Sequence, residues 1–174
     1  MEISGPTILT ADGTYFSFLR PSENLTLNAV ARGLANTCRF GGQCNRFYSV
    51  AEHSVWVSRI VPEELALWGL MHDAPEAFIC DIPKPLKEML PDYRKIEKAI
   101  EGPILEFFGL IGPMPSAVKA ADMIMLATEQ RQIMNNRDPW RWTLKPLEDA
   151  TLECLEPQAA YELFIARANE LGIF

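Results

Sequence analysis

The chain has two histidines, and each stands in an apolar stretch whose spacing is typical of a helix. His53 lies in the run from Val50 to Val61. His72 follows the apolar run from Leu65 to Met71 and is itself followed at once by Asp73. Burying the charge of Asp73 is costly unless the carboxylate has a partner. A metal ion is the partner that would satisfy a histidine and an aspartate together.

A third acidic residue, Asp122, stands in the apolar sequence AADMIM of a further helical pattern. Three predicted helices therefore bring four ligand-capable side chains into apolar surroundings: His53, His72, Asp73 and Asp122. This mixture of nitrogen and oxygen ligands suits Co²⁺, Mn²⁺, Zn²⁺, Fe²⁺ or Ni²⁺, and the residue types leave the choice among these ions open. An octahedral ion with these ligands would keep positions for water and for a substrate oxygen.

Two more carboxylates are spaced so that they could share the faces of these ligands. Glu76 lies four residues after His72, and Glu129 lies seven residues, or two helical turns, after Asp122. A bound divalent ion makes water more acidic, and either Glu76 or Asp73 could take the proton. The chemistry that this arrangement predicts is activation of a water molecule by a bound metal ion.

Each of these features alone has a simpler interpretation. A histidine in a helix is usually a hydrogen-bonded core residue, and a His-Asp dipeptide recurs by chance. Asp122 could simply pair with Lys119 or Arg131. The combination on successive helices favours a metal site, because a purely structural helical protein would leave three buried ionisable sites without a reason.

The elements that must position these groups are predicted to be helices. Apolar spacing places them at about 25–37, from Ser49 to about 61, from Pro62 to His72-Asp73, over about 92–108, from about 115, and from Pro157 to about 172. A capping box is predicted at Ser49 and Glu52. We expect Pro75 to kink or end its helix and Pro83 and Pro85 to force a loop. Together these elements predict an all-α helical bundle. It is a single domain over residues 1–174 that begins with a short extended arm or hairpin around Asp12-Gly13.

Length, net charge, apolar runs and cysteine spacing indicate which classes of protein to expect. A length of 174 residues fits one domain, and a net charge of −7 opposes binding to a nucleic-acid backbone. No apolar run is long enough to span a membrane, and no signal peptide is recognisable at the N-terminus. The four cysteines form no Cys-x-x-Cys pair, which predicts reduced thiols in a cytoplasm. Trp140 and Trp142 are expected to cap the core or to mark a protein interface.

Beyond the four ligands, the chain resembles the HD-domain metal-dependent phosphohydrolases, an all-helical family. The resemblance covers about residues 38–130, and its segments are RFGG at 39–42, YSVAEHS at 48–54, HDAPEA at 72–77, DIPKPLK at 81–87 and VKAAD at 118–122. Segments of this kind are similar to bacterial 5′-deoxynucleotidases and to small phage enzymes that remove triphosphate from dATP.

The resemblance implies a role for each matching residue. The metal ligands would be His53, His72, Asp73 and Asp122. Glu76 would orient or deprotonate the attacking water. Arg39 would contact phosphate, and Phe40 would pack on the sugar or base, where the deoxynucleotidases have an Arg-Trp pair. Asp81 would accept a hydrogen bond from the 3′-hydroxyl group. The phosphates would meet Lys84 and Lys87.

The implied reaction is conversion of dATP to deoxyadenosine and triphosphate, which would clear dATP in a phage whose DNA carries 2-aminoadenine. A 5′-deoxynucleotidase acting on deoxynucleoside monophosphates is the alternative, and a nucleotide-binding module without turnover is an alternative of another class. The expected partner is a small deoxynucleotide, with no nucleic acid and no membrane. The family and the acidic surface also suggest a homo-oligomer, for which a hexamer is one candidate, in the cytoplasm of the host cell if a phage encodes it.

Overall fold

The computed structural model describes residues 5–136, residue 138 and residues 144–174, and it begins with a short hairpin. Strands β1 (Thr7–Leu9) and β2 (Tyr15–Ser17) pair in antiparallel fashion. The turn between them contains Asp12-Gly13, where Gly13 has a φ of 84°. The predicted N-terminal hairpin is therefore confirmed, whereas the Trp140 and Trp142 prediction lies outside the described residues.

The rest of the described chain is mainly helical. Its helices are α1 (Leu27–Asn36), α2 (Val50–Ile60), α3 (Ala66–Met71), α4 (Glu76–Ile79), α5 (Lys84–Glu88), α6 (Pro91–Phe107), α7 (Ser116–Ile133) and α8 (Pro157–Glu170). Short 3₁₀ turns cover Arg39–Gly42 and Glu63–Leu65. A mainly α fold with a small hairpin is what the periodicity predicts, and the fold class is confirmed.

One local prediction was wrong, and a second was confirmed only in part. Pro83 and Pro85 do not prevent a helix, because α5 begins at Lys84 and Pro85 occupies its first turn, where a proline needs no backbone N–H donor. The capping box forms only in part. The Ser49 hydroxyl accepts a hydrogen bond from the Glu52 N–H at 3.1 Å, as predicted. The Glu52 carboxylate, however, binds elsewhere.

Helix α2 is the central element, since it packs against α1, α3, α7 and α8. One apolar cluster lies where α1, α2 and α8 meet, and a second lies between α2 and α7. A Cβ atom at Gly69 of α3 would lie only 2.8 Å from the Cα of Ser58 in α2. The absence of a side chain at Gly69 thus lets α2 and α3 approach at backbone distance, which brings their two histidines together.

None of the helices in the described ranges has the length and apolar character needed to cross a membrane.

The hairpin turn is tied to the start of α1 through one carboxylate. Asp12 accepts hydrogen bonds from the hydroxyl groups of Thr10 (2.6 Å), Thr14 (2.8 Å) and Thr26, and Thr26 caps α1 by accepting from the Ala29 N–H. Partial burial raises the pKa of Asp12, but these hydrogen bonds more than offset that effect, and the pKa falls from 3.8 to about 2.

We predict that Asp12→Asn lowers the free energy of unfolding by about 1 kcal/mol at pH 7, because the charged acceptor of these bonds is lost. Since the folded-state pKa is depressed, the stabilisation is full above pH 4 and is lost as the pH falls towards 2. Urea unfolding at several pH values would measure this. At pH 2 the variant and the wild type should have nearly the same free energy of unfolding. An unchanged free energy of unfolding at pH 7 would contradict the assignment. Asp149→Asn, at an exposed position, is the matched control.

Candidate metal centre

Three helices bring a nitrogen or oxygen ligand to one point in the structure. His53 lies in α2, His72 follows the last residue of α3, and Asp122 lies in the second turn of α7. One ligand atom from each of these side chains lies within 4.8 Å of the other two. The two histidines are buried, and Asp122 is half-buried. The structure thus contains a possible metal-binding triad at the residues that the sequence indicates.

Hydrogen bonds on the outer side of each imidazole determine which nitrogen carries its proton. The Nδ1 of His72 lies 2.8 Å from the carbonyl oxygen of Gly69, which can only accept, so this Nδ1 is the donor. The Nδ1 of His53 lies 2.6 Å from an oxygen of Glu129 and donates to that carboxylate. In its neutral form each ring therefore holds its proton at Nδ1 and presents the lone pair of Nε2 to the centre.

The two Nε2 atoms are buried, and neither has a hydrogen-bond partner among the described residues. The Nε2 of His53 lies 3.3 Å from an oxygen of Asp122. Burial and Arg39 lower the pKa of His53, yet Glu129 and Asp122 outweigh them and raise it to about 9. The surroundings of this ring therefore favour a positive charge at Nε2, which a bound cation would supply in place of a proton. Two buried lone pairs beside a carboxylate are what a divalent transition metal ion requires, so the residues fit such an ion.

Asp73 reaches the same point, as predicted for the fourth ligand. Its Oδ2 lies 3.1 Å from the Nε2 of His72, 3.6 Å from the Nε2 of His53 and 3.7 Å from the Nη1 of Arg39. Burial raises the pKa of Asp73, but these three neighbours offset that effect and hold the pKa well below its usual range. Asp73 is therefore ionised and lies beside both imidazoles of the triad, and its role as a fourth ligand stays a prediction.

Glu129 has a larger role than its helical spacing indicates. It is fully buried, and its two oxygens are divided between the Nδ1 of His53 and the Nε of Arg39, the latter at 3.1 Å. Arg39 is 8% exposed, and its guanidinium lies between Glu129 and Asp73. Burial lowers the pKa of Arg39, but Glu129 and the neighbouring aspartates raise it above its usual range. One buried carboxylate thus orients both a candidate metal ligand and the predicted phosphate contact.

We predict that Glu129→Gln weakens metal binding by about 10–100-fold, because the amide cannot supply carboxylate acceptors to both His53 and Arg39. The variant should also lose about 3 kcal/mol of stability, since the buried charge of Arg39 keeps only the weaker contact with Asp73. Cobalt titration and urea unfolding would measure the two effects. Unchanged affinity would show that Glu129 does not orient the ligand. Glu106→Gln, on the exposed face of α6, is the control.

Glu76 does not share a helix with His72, although its spacing suggests that it does. Helix α3 ends at Met71 and a tight turn follows, with the Glu76 N–H bonded to the carbonyl of Asp73 at 2.9 Å. Glu76 then begins α4 and is buried. One of its oxygens lies 3.5 Å from the Nζ of Lys87, and the other has no hydrogen-bond partner among the described residues. Burial, followed by Asp73 and Asp81, raises the pKa of Glu76 well above its ordinary value.

Most of the predicted substrate contacts lie near the site, but Lys84 does not. Phe40 follows Arg39 in the 3₁₀ turn, and its N–H donates to Asp81 at 3.3 Å. Lys87 lies beside Glu76, but its ammonium group also pairs with Glu97 at 2.6 Å. Within the described ranges Lys84 is exposed and forms no ion pair, so the structure gives no contact between Lys84 and the cluster.

Glu52, next to His53 in α2, anchors a segment that the sequence does not connect with the site. Its buried carboxylate accepts hydrogen bonds from the backbone N–H groups of Glu153 (3.0 Å), Cys154 (3.2 Å) and Leu155 (2.8 Å). These bonds fix the chain before α8 against α2. A carboxylate in the first turn of a helix is usually read as a cap, so only the fold reveals this role.

Comparison with other proteins identifies relatives of the chain in two bacteria. It is 41% identical over 169 residues to the uncharacterized protein YfdR of Escherichia coli K12, an alignment that covers 95% of each chain. It is 32% identical over 136 residues to an uncharacterized protein of Rhodobacter capsulatus, covering 70% of this chain and 69% of the relative. No family model matches the chain. With this identity over nearly its whole length, the chain belongs to the same family as YfdR.

Proposed function

We propose that the chain is an HD-type metal-dependent phosphohydrolase that acts on a deoxynucleotide. The observation that carries the proposal is the pair of imidazoles whose Nδ1 atoms are both committed to outer acceptors. Their buried Nε2 lone pairs are thereby left beside two aspartates. The order of the residues along the chain is that of the HD pattern described above: His53, His-Asp at 72–73 and Asp122. A structural core would have no need for two such nitrogens without partners.

The four ligands would hold a divalent ion. The candidates are Co²⁺, Mn²⁺, Zn²⁺, Fe²⁺ and Ni²⁺, because these ions suit mixed nitrogen and oxygen ligands. When bound, such an ion supplies a more acidic water and neutralises charge on a phosphate oxygen. Glu76 has the position and the burial to take a proton from that water, with Asp73 as the other carboxylate within the cluster. Its neighbour Lys87 holds the Glu76 side chain in place.

Arg39 is positioned to bind the phosphate. Glu129 occupies its Nε, which leaves the terminal N–H groups of the guanidinium facing the side of Asp73. A guanidinium that is already oriented loses little entropy when it binds a phosphate oxygen, and it stabilises charge on the phosphoryl group during hydrolysis. The adjacent Phe40 offers a ring to the sugar or base, and Asp81 keeps a second oxygen for a 3′-hydroxyl group.

The number of phosphates distinguishes two substrates. The resemblance to the phage enzymes favours dATP, with release of deoxyadenosine and triphosphate. One observation favours a deoxynucleoside monophosphate instead. In the described part of the chain, Arg39 and Lys87 are the cations that contact the cluster, and both are already paired with carboxylates. A triphosphate carries more negative charge than these two groups alone would neutralise.

An assay of dATP, dGTP, dAMP and dCMP with Co²⁺ or Mn²⁺ tests the proposal. Free triphosphate from dATP supports the first substrate, and inorganic phosphate from dAMP supports the second. Retention of a deoxynucleotide without any product would indicate the non-catalytic binding module. Absence of both turnover and nucleotide binding, in protein shown to be loaded with metal, would contradict the proposed function.

A further inference from the structure

The turn that carries Arg39 is flanked by two cysteines in contact. Cys38 precedes the turn and Cys44 follows it, and their Sγ atoms lie 3.8 Å apart. Both thiols are free and half-buried. A disulfide bond is about 2.05 Å long, so the two atoms need to approach by less than about 2 Å to form one.

The ends of this turn are already held close together by the surrounding chain. The Arg39 N–H donates to the carbonyl of Tyr48 at 2.9 Å, and Cys38 pairs with Ser49 as an antiparallel bridge. On the other side, the Asn45 N–H donates to the carbonyl of Ile133 at 2.9 Å. The backbone therefore places the two sulfurs together before any bond forms between them.

The turn itself has an unusual conformation. Phe40, Gly41 and Gly42 all have positive φ angles, of 59°, 59° and 79°. The left-handed region is unfavourable for a residue with a Cβ atom such as Phe40, which must be stabilised by its surroundings. The visible stabilising contact is the hydrogen bond from the Phe40 N–H to Asp81 at 3.3 Å. A covalent link across the turn would restrict the alternatives to this conformation.

Of the remaining two cysteines, Cys80 is exposed, and Cys154 packs against the same apolar cluster as Cys44 while Glu52 binds its backbone. Among the described residues, Cys38 and Cys44 are the cysteine pair whose sulfurs meet. Burial and the adjacent Cys38 raise the pKa of Cys44 to about 11, so Cys44 stays protonated at neutral pH. The Cys44 thiol also donates to the carbonyl oxygen of Arg46 at 2.9 Å, so we assign the first attack to Cys38.

We propose that Cys38 and Cys44 are a modification site at which exchange with a small disulfide, such as oxidised glutathione, forms a reversible bond that locks the Arg39 turn. The Cys38 thiolate attacks one sulfur of the small disulfide, and one small thiol leaves. Cys44 loses its proton to solvent and attacks the Cys38 sulfur, and the second small thiol leaves. Two protein thiols are oxidised, and one small disulfide is reduced to two thiols.

Peptide mapping of the full chain after equilibration with reduced and oxidised glutathione tests the proposal. We expect one linked species that joins Cys38 to Cys44 and disappears on addition of dithiothreitol. In Cys44→Ser, Cys38 should instead accumulate as the mixed disulfide with glutathione, whereas Cys80→Ser should form the same Cys38–Cys44 link as wild type. Modification of Cys80 while Cys38 and Cys44 remain thiols would overturn the proposal.

The locking effect has its own measurement. A bond that closes a loop of about seven residues should raise Tm by about 5 °C and slow amide hydrogen exchange over residues 39–44. A bond that forms without either change would overturn the locking. Neither readout requires turnover, so these results are independent of whether the chain is a phosphohydrolase.

Discussion

Replacing His72 by alanine is expected to abolish stoichiometric metal binding and, with it, turnover. The Nε2 of His72 lies 3.1 Å from Asp73 at the point where the other ligands converge, and its Nδ1 is held by Gly69. Loss of a direct ligand should weaken binding by more than the 10–100-fold typical of a residue that only orients a ligand. Metal content by mass spectrometry of the purified protein and the dATP and dAMP assays would measure both effects.

The control for this variant is Lys119→Ala, because Lys119 is exposed on the same helix as Asp122, three residues before it. It should bind metal and turn over substrate like wild type. Removing the buried imidazole also costs stability, so unfolding of His72→Ala must be measured alongside. A folded His72→Ala protein with wild-type metal content would remove His72 from the ligand set.

The second large effect is expected for Glu76→Gln. Glutamine keeps the size of the side chain but cannot take a proton, so turnover should fall by about 10²–10⁴-fold, the range for loss of a general base. Metal content should remain as in wild type, because Glu76 is not one of the four ligands. Steady-state rates at saturating metal and substrate would show the loss in kcat.

Glu88→Gln provides the comparison, since Glu88 is exposed in the neighbouring α5. If Glu76→Gln keeps wild-type turnover, Asp73 is the carboxylate that accepts the proton. If Glu76→Gln loses its metal as well, Glu76 acts as a ligand and the proposed division of roles is wrong.

The positions of the proposed metal ligands could be predicted because their residue types conflict with their surroundings. An ionisable group such as Asp122 in an apolar helix requires a compensating partner, and that requirement is visible in the sequence. The convergence of His53 and His72 depends on the close approach of α2 and α3 at Gly69, which spacing along either helix does not reveal. The resemblance to the HD family supplied that convergence as an expectation.

The contacts that orient these ligands could not be predicted in the same way. Spacing places Glu129 on the face of α7 that carries Asp122, but it does not show that Glu129 divides its oxygens between His53 and Arg39. Glu52 has the sequence of a capping residue and instead anchors the chain before α8. Such contacts join residues about 75 to 100 positions apart and depend on the packed fold.

The ion pair between Lys87 and Glu97 is another contact that the sequence does not reveal. The sequence shows a lysine in a proline-bounded segment, and the resemblance assigns it to phosphate. The structure adds Glu97 of α6, whose carboxylate lies 2.6 Å from the Lys87 ammonium group. Burial lowers the pKa of Lys87, but Glu97 and Glu76 raise it above its usual range, so the lysine remains charged. Lys87 therefore contacts Glu76 and Glu97 as well as carrying the charge that the proposed function assigns to phosphate binding.

Anomalous diffraction from crystals grown with Co²⁺ would locate the ion without reference to turnover. We predict one strong peak at bonding distance, about 2.0–2.2 Å, from the Nε2 atoms of both His53 and His72, with Asp73 and Asp122 completing the protein ligands. A protein that binds cobalt at another place, or crystals with no peak between these two imidazoles, would contradict it.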